Sequence, residues 1–185
     1  ALGPMSIDVD RIRSCFPSLA FGAAHFDGPG GTQTPTSVAR AMFDLLQGPV
    51  ANRGTVTLAE QRAEAAVTGA RLAMADLLGA DPDGIVFGRS MTQLTFDFAR
   101  TLAQDWRPGD EVVVSRLDHD ANVRPWVRYA QKSGATLRWV DFDPSSGHLD
   151  VADVESVLSD RTRVVAMTGA SNILGTRPDL PAISK

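Results

Sequence analysis

Residues Glu111–Trp126 read EVVVSRLDHDANVRPW. Glu111–Ser115 opens on an apolar run that reads as a buried strand, and RLDHDAN (Arg116–Asn122) is a polar loop with His119 between Asp118 and Asp120. A helix is expected from about Asn122 to Lys132, where Ser133-Gly134 ends it. A strand, a chemically active loop and a helix in that order form half of a βαβ unit.

The same alternation extends in both directions. Upstream, Ala63, Ala66, Val67, Ala70, Met74, Leu77 and Leu78 recur at helical spacing from Glu60, and Gly79 closes the run. DPDG (Asp81–Gly84) is a turn signal, and IVF (Ile85–Phe87) is expected as a short strand. GRSMT (Gly88–Thr92) then feeds a helix with Met91, Leu94, Phe98 and Leu102 on one face, broken by RPGD. Downstream, TLRWV (Thr136–Val140) is a strand, DPSSG (Asp143–Gly147) a loop, Val151–Leu158 a short helix, and TRVVAMT (Thr162–Thr168) a strand. Four strands with helices between them predict an α/β fold with a parallel sheet. Near-continuous apolar runs are expected where helices cover both faces of such a sheet. The first fifty residues have no regular period, apart from a helix expected at about Thr36–Leu46. Met5–Phe21 reads as an N-terminal arm, and ALGP before Met5 as a cloning remnant.

Composition limits the partners. The 185 residues carry a net charge of -4, which gives no footprint for nucleic acid or an anionic membrane. No apolar run reaches membrane-spanning length, and the cytoplasm is the expected compartment. The single cysteine, Cys15, excludes an internal disulfide. Of the eighteen basic residues only two, Lys132 and Lys185, are lysines.

Ligands of a parallel sheet bind beyond the carboxyl ends of its strands. Three loops lie at such ends: GRSMT, RLDHDAN and GASNILGT (Gly169–Thr176). Ser90, Met91 and Thr92 occupy a helix start, where free N–H groups and the dipole favour an anion. Taken alone, Ser90 is as well read as a helix cap. His119 can stack on a planar ligand or move protons near neutrality, and equally can be a surface histidine beside acids. Asp118 and Asp120 read as structural or solvated rather than catalytic. Asn172 can donate to a ligand oxygen, or serve ordinary turn chemistry. An anion cradle, an aromatic base and an amide donor together suit a planar, phosphorylated cofactor. GxxxxGK and GxGxxG are both absent, so this is neither a P-loop nor a dinucleotide fingerprint.

From about Phe26 onward the chain resembles the class V aminotransferase family of pyridoxal-phosphate enzymes. Within that family the likeness is to the cysteine desulfurase and selenocysteine lyase branch. Five segments carry it in order: FDGPGGTQTP (Phe26–Pro35), NRGTVTLAEQR (Asn52–Arg62), IVFGRSMTQ (Ile85–Gln93), RLDHDANVRPW (Arg116–Trp126) and SNILGT (Ser171–Thr176). The resemblance implies the first half of a fold-type-I large domain over 22–185, with pyridoxal 5'-phosphate as cofactor and an amino acid as substrate. It further implies a homodimer. Ser90, Met91 and Thr92 fall at the phosphate-binding turn, and His119 at the histidine that stacks on the pyridine ring and assists proton transfer. Asn172 falls at the residue that bonds the phenolic oxygen. Asn52 and Arg53 fall in a segment that serves the substrate. Departures accompany the match: Met91 stands for a threonine, Gln93 for a glutamate, Asp120 for a second histidine, and Asn52 for a histidine. The family's aspartate beneath the pyridine nitrogen, its Schiff-base lysine and its carboxylate-binding arginine match nothing within these residues, so the chain alone is expected to be inactive. Two other readings suit the residues: a non-catalytic binding or assembly module on the same fold, and an unrelated nucleotide-binding α/β domain.

Overall fold

The structure is a computed structural model that describes residues 7–185. The ALGP segment and the first two residues of the expected arm lie outside the described residues. The chain divides into two units, one ending at Val86 and one beginning at Phe87.

The first unit is helical. α1 spans Val9–Ser14, capped by the Asp8 carboxylate, which accepts from the Arg11 N–H. A 3-10 turn at Pro17–Phe21 follows it. α2 spans Thr36–Gln47, and the Thr36 N–H donates to the Cys15 carbonyl at 2.9 Å. α3 spans Leu58–Leu78 and begins in a capping box: Thr57 accepts from the Glu60 N–H while the Glu60 carboxylate accepts from the Val56 and Thr57 N–H groups. Those backbone donors hold the Glu60 carboxyl below the usual carboxylate range. Gly79 ends α3 with φ 62°, a left-handed conformation in which a side chain is strained.

The strand expected at Ile85–Phe87 does not form. A strand needs a hydrogen-bonded neighbour. Ile85 instead donates its N–H to the Pro82 carbonyl at 3.2 Å, and its own carbonyl accepts from Arg71 Nη1 at 2.8 Å. Three strands are present among the described residues rather than four.

The second unit is built on those three. After α4 (Met91–Leu102), β1 spans Glu111–Ser115, α5 Arg124–Ser133, β2 Thr136–Val140, α6 Val151–Val157 and β3 Thr162–Ala166. A short α7, Leu180–Ile183, has no counterpart in the sequence reading. The sheet is parallel with order β2-β1-β3, Glu111 lying opposite Thr136 on one side and Thr162 on the other. Because successive strand residues face opposite ways, β1 feeds two cores. Val112 and Val114 pack with Ala99 of α4 and with Trp126 and Ala130 of α5. Val113 packs with Leu117, Val140, Leu149 and Val154, and Ile183 of α7 closes on that cluster. All five residues of β1 are buried, as an apolar run covered on both faces requires. β2 and β3 differ from this expectation. Their burial alternates, because Arg138 and Arg163 point outward from the two outer strands.

These arginines reach back to acids at the amino end of the central strand. The Glu111 carboxylate, 2% exposed, accepts from Arg138 Nη2 at 2.7 Å and from the Ser159 hydroxyl at 2.6 Å. Asp110 accepts from the Arg107 N–H and from Arg163 Nε, both at 2.8 Å. The Arg138 and Ser159 bonds hold Glu111 below the usual range, and the Arg107 N–H followed by Arg163 does the same for Asp110. A buried acid persists only when paired in this way.

Candidate functional site

The chain runs from β1 to β2 on one side of the sheet and then crosses back over β1 to reach β3. Strand order therefore reverses at β1, and the crevice beyond the carboxyl ends of β1 and β3 is where such sheets bind ligands. His119 follows β1 and Asn172 follows β3.

His119 sits at the start of a 3-10 turn, Asp120–Asn122, and caps it: Nδ1 accepts from the Ala121 N–H at 3.0 Å. A ring nitrogen that accepts carries no proton, so the hydrogen-bond pattern assigns the neutral ring's proton to Nε2. The ring is exposed, but its orientation is fixed by its own backbone.

Asp118 is the joint of the site. Its carboxylate accepts from the Ser115 hydroxyl at the end of β1, from Asn122 Nδ2 at 2.7 Å, and from the Thr168 N–H beyond β3 at 3.0 Å. Asn122 Oδ1 in turn accepts from Trp126 Nε1 at 3.2 Å. Trp126 is buried and packs edge-on against Phe98, with ring centroids 6.3 Å apart. One hydrogen-bonded chain thus links β1, the His119 turn, α5 and the loop after β3. None of Ser115, Asn122 or Trp126 is a site residue in the sequence reading. Asp120 points the other way and pairs with Arg124 Nε at 2.8 Å on the surface. That bond raises the Arg124 pKa above its ordinary value.

Asn172 lies at the exposed corner of a tight turn. The Ser171 hydroxyl accepts from the Leu174 N–H at 3.2 Å, and the Ser171 N–H donates to the Thr176 carbonyl at 2.8 Å. Gly175 takes φ 75° to close it. The turn is docked by Thr176, whose hydroxyl donates to the Gly147 carbonyl at 2.7 Å. The Asn172 side chain makes no hydrogen bond among the described residues.

α4 packs against both α5 and the His119 turn. Ser90 caps it, its hydroxyl oxygen accepting from the Gln93 N–H at 3.2 Å. The plain reading of Ser90 as a helix cap is thus realised, and only its O–H proton remains to be given away. The N–H groups of Met91 and Thr92 have no partner among the described residues, and the Thr92 hydroxyl is exposed. Gly88 permits the approach to this turn, because a Cβ there would stand 2.6 Å from Leu94 Cδ2.

Asn52 and Arg53 belong to the first unit. Arg53 is held in a two-pronged pair with Glu64 of α3, at 2.8 Å from Nε and 2.6 Å from Nη2. The pairing raises the Arg53 pKa and lowers that of Glu64. Asn52 is exposed.

Residues 24–185 match the aminotransferase class-V family. An uncharacterized protein of Mycobacterium tuberculosis is 39% identical over 181 residues, which is 98% of this chain and 46% of that protein. A cysteine desulfurase of Dickeya dadantii is 35% identical over 180 residues, 91% of this chain and 42% of its own length. A crystal structure of a cysteine desulfurase from Escherichia coli superposes with a TM-score of 0.84 at 28% identity, covering 97% of this chain and 45% of that one. The chain spans just under half the length of the relatives it matches. The parallel sheet and its covering helices have the fold-type-I architecture of these neighbours.

Proposed function

The chain belongs to the class V aminotransferase family of pyridoxal-phosphate enzymes, and from that premise we propose that the whole protein performs chemistry at the α- or β-carbon of an amino acid. The cofactor, when bound, supplies an electron sink. The residues of this chain supply a seat and a means of moving protons.

The free N–H groups of Met91 and Thr92, with the Thr92 hydroxyl and the Ser90 O–H, form an anion seat at a helix start. That donor set suits a phosphate. His119 offers a ring face for stacking and directs Nε2–H outward, so it can donate at one nitrogen while the backbone orients the other. Asn172 carries an uncommitted amide able to donate to a phenolic oxygen. Asn52 and Arg53, the latter held in one orientation by Glu64, are the candidates for contact with the substrate. The observation that carries the reading is the joint at Asp118, which ties the His119 loop to the loop that leads to Asn172.

The proposal extends to the partners. A homodimer accords with exposed apolar side chains on α2, Met42 at 61% and Leu46 at 72%. A cytoplasmic protein accords with its acidic balance, and no described helix is long and apolar enough to cross a membrane. The 185-residue chain alone would have no turnover. Lys132 lies in the last turn of α5, eight residues past Arg124, and a helix at about 1.5 Å per residue carries it roughly 12 Å away. Lys185 is the last residue.

The test is His119→Ala in the full-length protein. Loss of stacking weakens cofactor binding by about 1 kcal/mol, and loss of the proton-transfer group slows turnover by roughly 10²–10⁴-fold. Cofactor affinity and turnover both equal to those of the unmodified protein would refute the assignment.

A further inference from the structure

We propose that Asp118 is a positioning residue, a clamp that sets His119 and the loop leading to Asn172 as one body. The proposal rests on the functional reading above and deepens it by giving the Asp118 joint a role in turnover, through the orientation of the His119 ring.

The carboxylate collects three donors from three different segments. On Oδ2 it meets the Ser115 hydroxyl of β1 and the Thr168 N–H beyond β3, and on Oδ1 it meets Asn122 Nδ2 in the 3-10 turn. Ser115 is fully buried, so the anchor on β1 is rigid. The orientation of the Asn122 amide is not free either: its oxygen is taken by Trp126 Nε1, which leaves only its NH2 to face Asp118. The turn held in this way is the one whose Ala121 N–H fixes His119 Nδ1, and Ala121 is itself buried. Asp118 therefore acts on the ring through two links, Asn122 and the turn.

An ionised carboxylate accepts only, and three donors need such a group. Asparagine has nearly the same shape but cannot satisfy them. With its NH2 toward Asn122, two amide donors collide. With its NH2 toward the other side, the Ser115 hydroxyl can rotate to accept, but the Thr168 N–H cannot. Asp118→Asn thus breaks at least one link of the clamp whichever way it settles, at little change in volume.

The experiment is a double-mutant cycle in the full-length protein with Asp118→Asn and His119→Ala. It is read by titration of pyridoxal 5'-phosphate, by kcat and KM, and by nitrogen NMR of labelled histidine in the cofactor-free protein. Asp118→Asn alone is expected to weaken cofactor binding by up to about fivefold, the scale of losing the His119 ring itself. It should lower kcat more than it alters KM, and give His119 a mixture of tautomers where the unmodified protein has its proton on Nε2. In the His119→Ala background the effect of Asp118→Asn on kcat should shrink to less than about twofold, because residues acting through one another are not additive. A full-sized, additive effect in that background, or an unchanged histidine tautomer, overturns the clamp while leaving the functional reading intact. A silent His119→Ala overturns that reading and the clamp with it. If Asp118→Asn does not fold, Asn122→Ala enters the same cycle. It removes one donor and leaves the ties to Ser115 and Thr168, and it must show the same non-additivity at smaller size.

Discussion

Ser90 and Thr92 are two residues apart at one helix start and both carry hydroxyls, but only Ser90 has a structural task, as the helix cap. The Ser90 oxygen accepts from the Gln93 N–H, so Ser90→Ala removes a cap. Such a loss costs about 1 kcal/mol of stability, within a range of about 0.5–2 kcal/mol. Thr92 is exposed and makes no side-chain bond, so Thr92→Ala should leave stability within about 0.5 kcal/mol, with the better helix propensity of alanine acting in its favour. Cofactor affinity should fall in both variants, because the Ser90 O–H and the Thr92 hydroxyl both belong to the proposed seat. If the proposed seat holds the phosphate, losing the Thr92 hydroxyl removes one hydrogen bond to it, about 0.5–1.5 kcal/mol, or roughly 2–13-fold in Kd. The assay is paired: urea denaturation of the cofactor-free protein, read at constant slope, and titration with pyridoxal 5'-phosphate. Thr92→Ala that binds as tightly as the unmodified protein would refute the anion seat. Thr92→Ala that unfolds as readily as Ser90→Ala would refute the division of roles.

Two further perturbations test the second unit. Trp126→Phe keeps a ring against Phe98 but leaves Asn122 Oδ1 without its donor, an expected loss of about 1–3 kcal/mol. Trp126→Ala should cost more, about 3–5 kcal/mol, and equal urea midpoints for the two would contradict the packing described. Asp110 and Glu111 titrate below the usual carboxylate range when folded. Their contribution is therefore complete above the unfolded carboxylate pKa of about 4, and it is lost as pH falls through their lower folded values. Arg138→Gln should shrink the Glu111 part of that acid loss, and an acid-unfolding curve of unchanged shape would count against the pairing.

Most of the second unit is legible in the sequence because each signal there is local. VVV between a turn and a polar loop is a buried strand, and Gly134 marks the end of α5 with φ 76°. α3 is legible as well, though its start is not at Glu60. Thr57 and Glu60 spell the capping box that places the first turn at Leu58. Ile85–Phe87 misleads because apolar content alone does not supply a pairing partner. The site divides in the same way. His119, Thr92 and Asn172 are visible as motif positions. The link that joins two of their loops is not visible, since Asp118 and Thr168 are 50 residues apart. In the sequence an acid beside a histidine looks the same whether it is solvated or holds three donors. Arg138 and Arg163 interrupt the apolar runs of the outer strands for a comparable reason, as their partners Glu111 and Asp110 lie on or beside another strand.

The two ends of the β1 strand are secured by different forces, and this has a consequence for ionic strength. At the amino end the fastening includes pairs of full charges, and the arginines on its outer side are about half exposed or more, Arg138 at 48% and Arg161 at 64%. Mobile ions reach such pairs and weaken them. At the carboxyl end the partners of Asp118 are a hydroxyl, an amide and a backbone N–H, none of which carries a net charge to be shielded. Added salt therefore weakens the Glu111 and Asp110 pairs at the amino end and the exposed Arg116–Asp141 pair beside the carboxyl end. The uncharged donors that hold Asp118 are not shielded in this way, so the tie between the two loops persists as the ion pairs around it loosen.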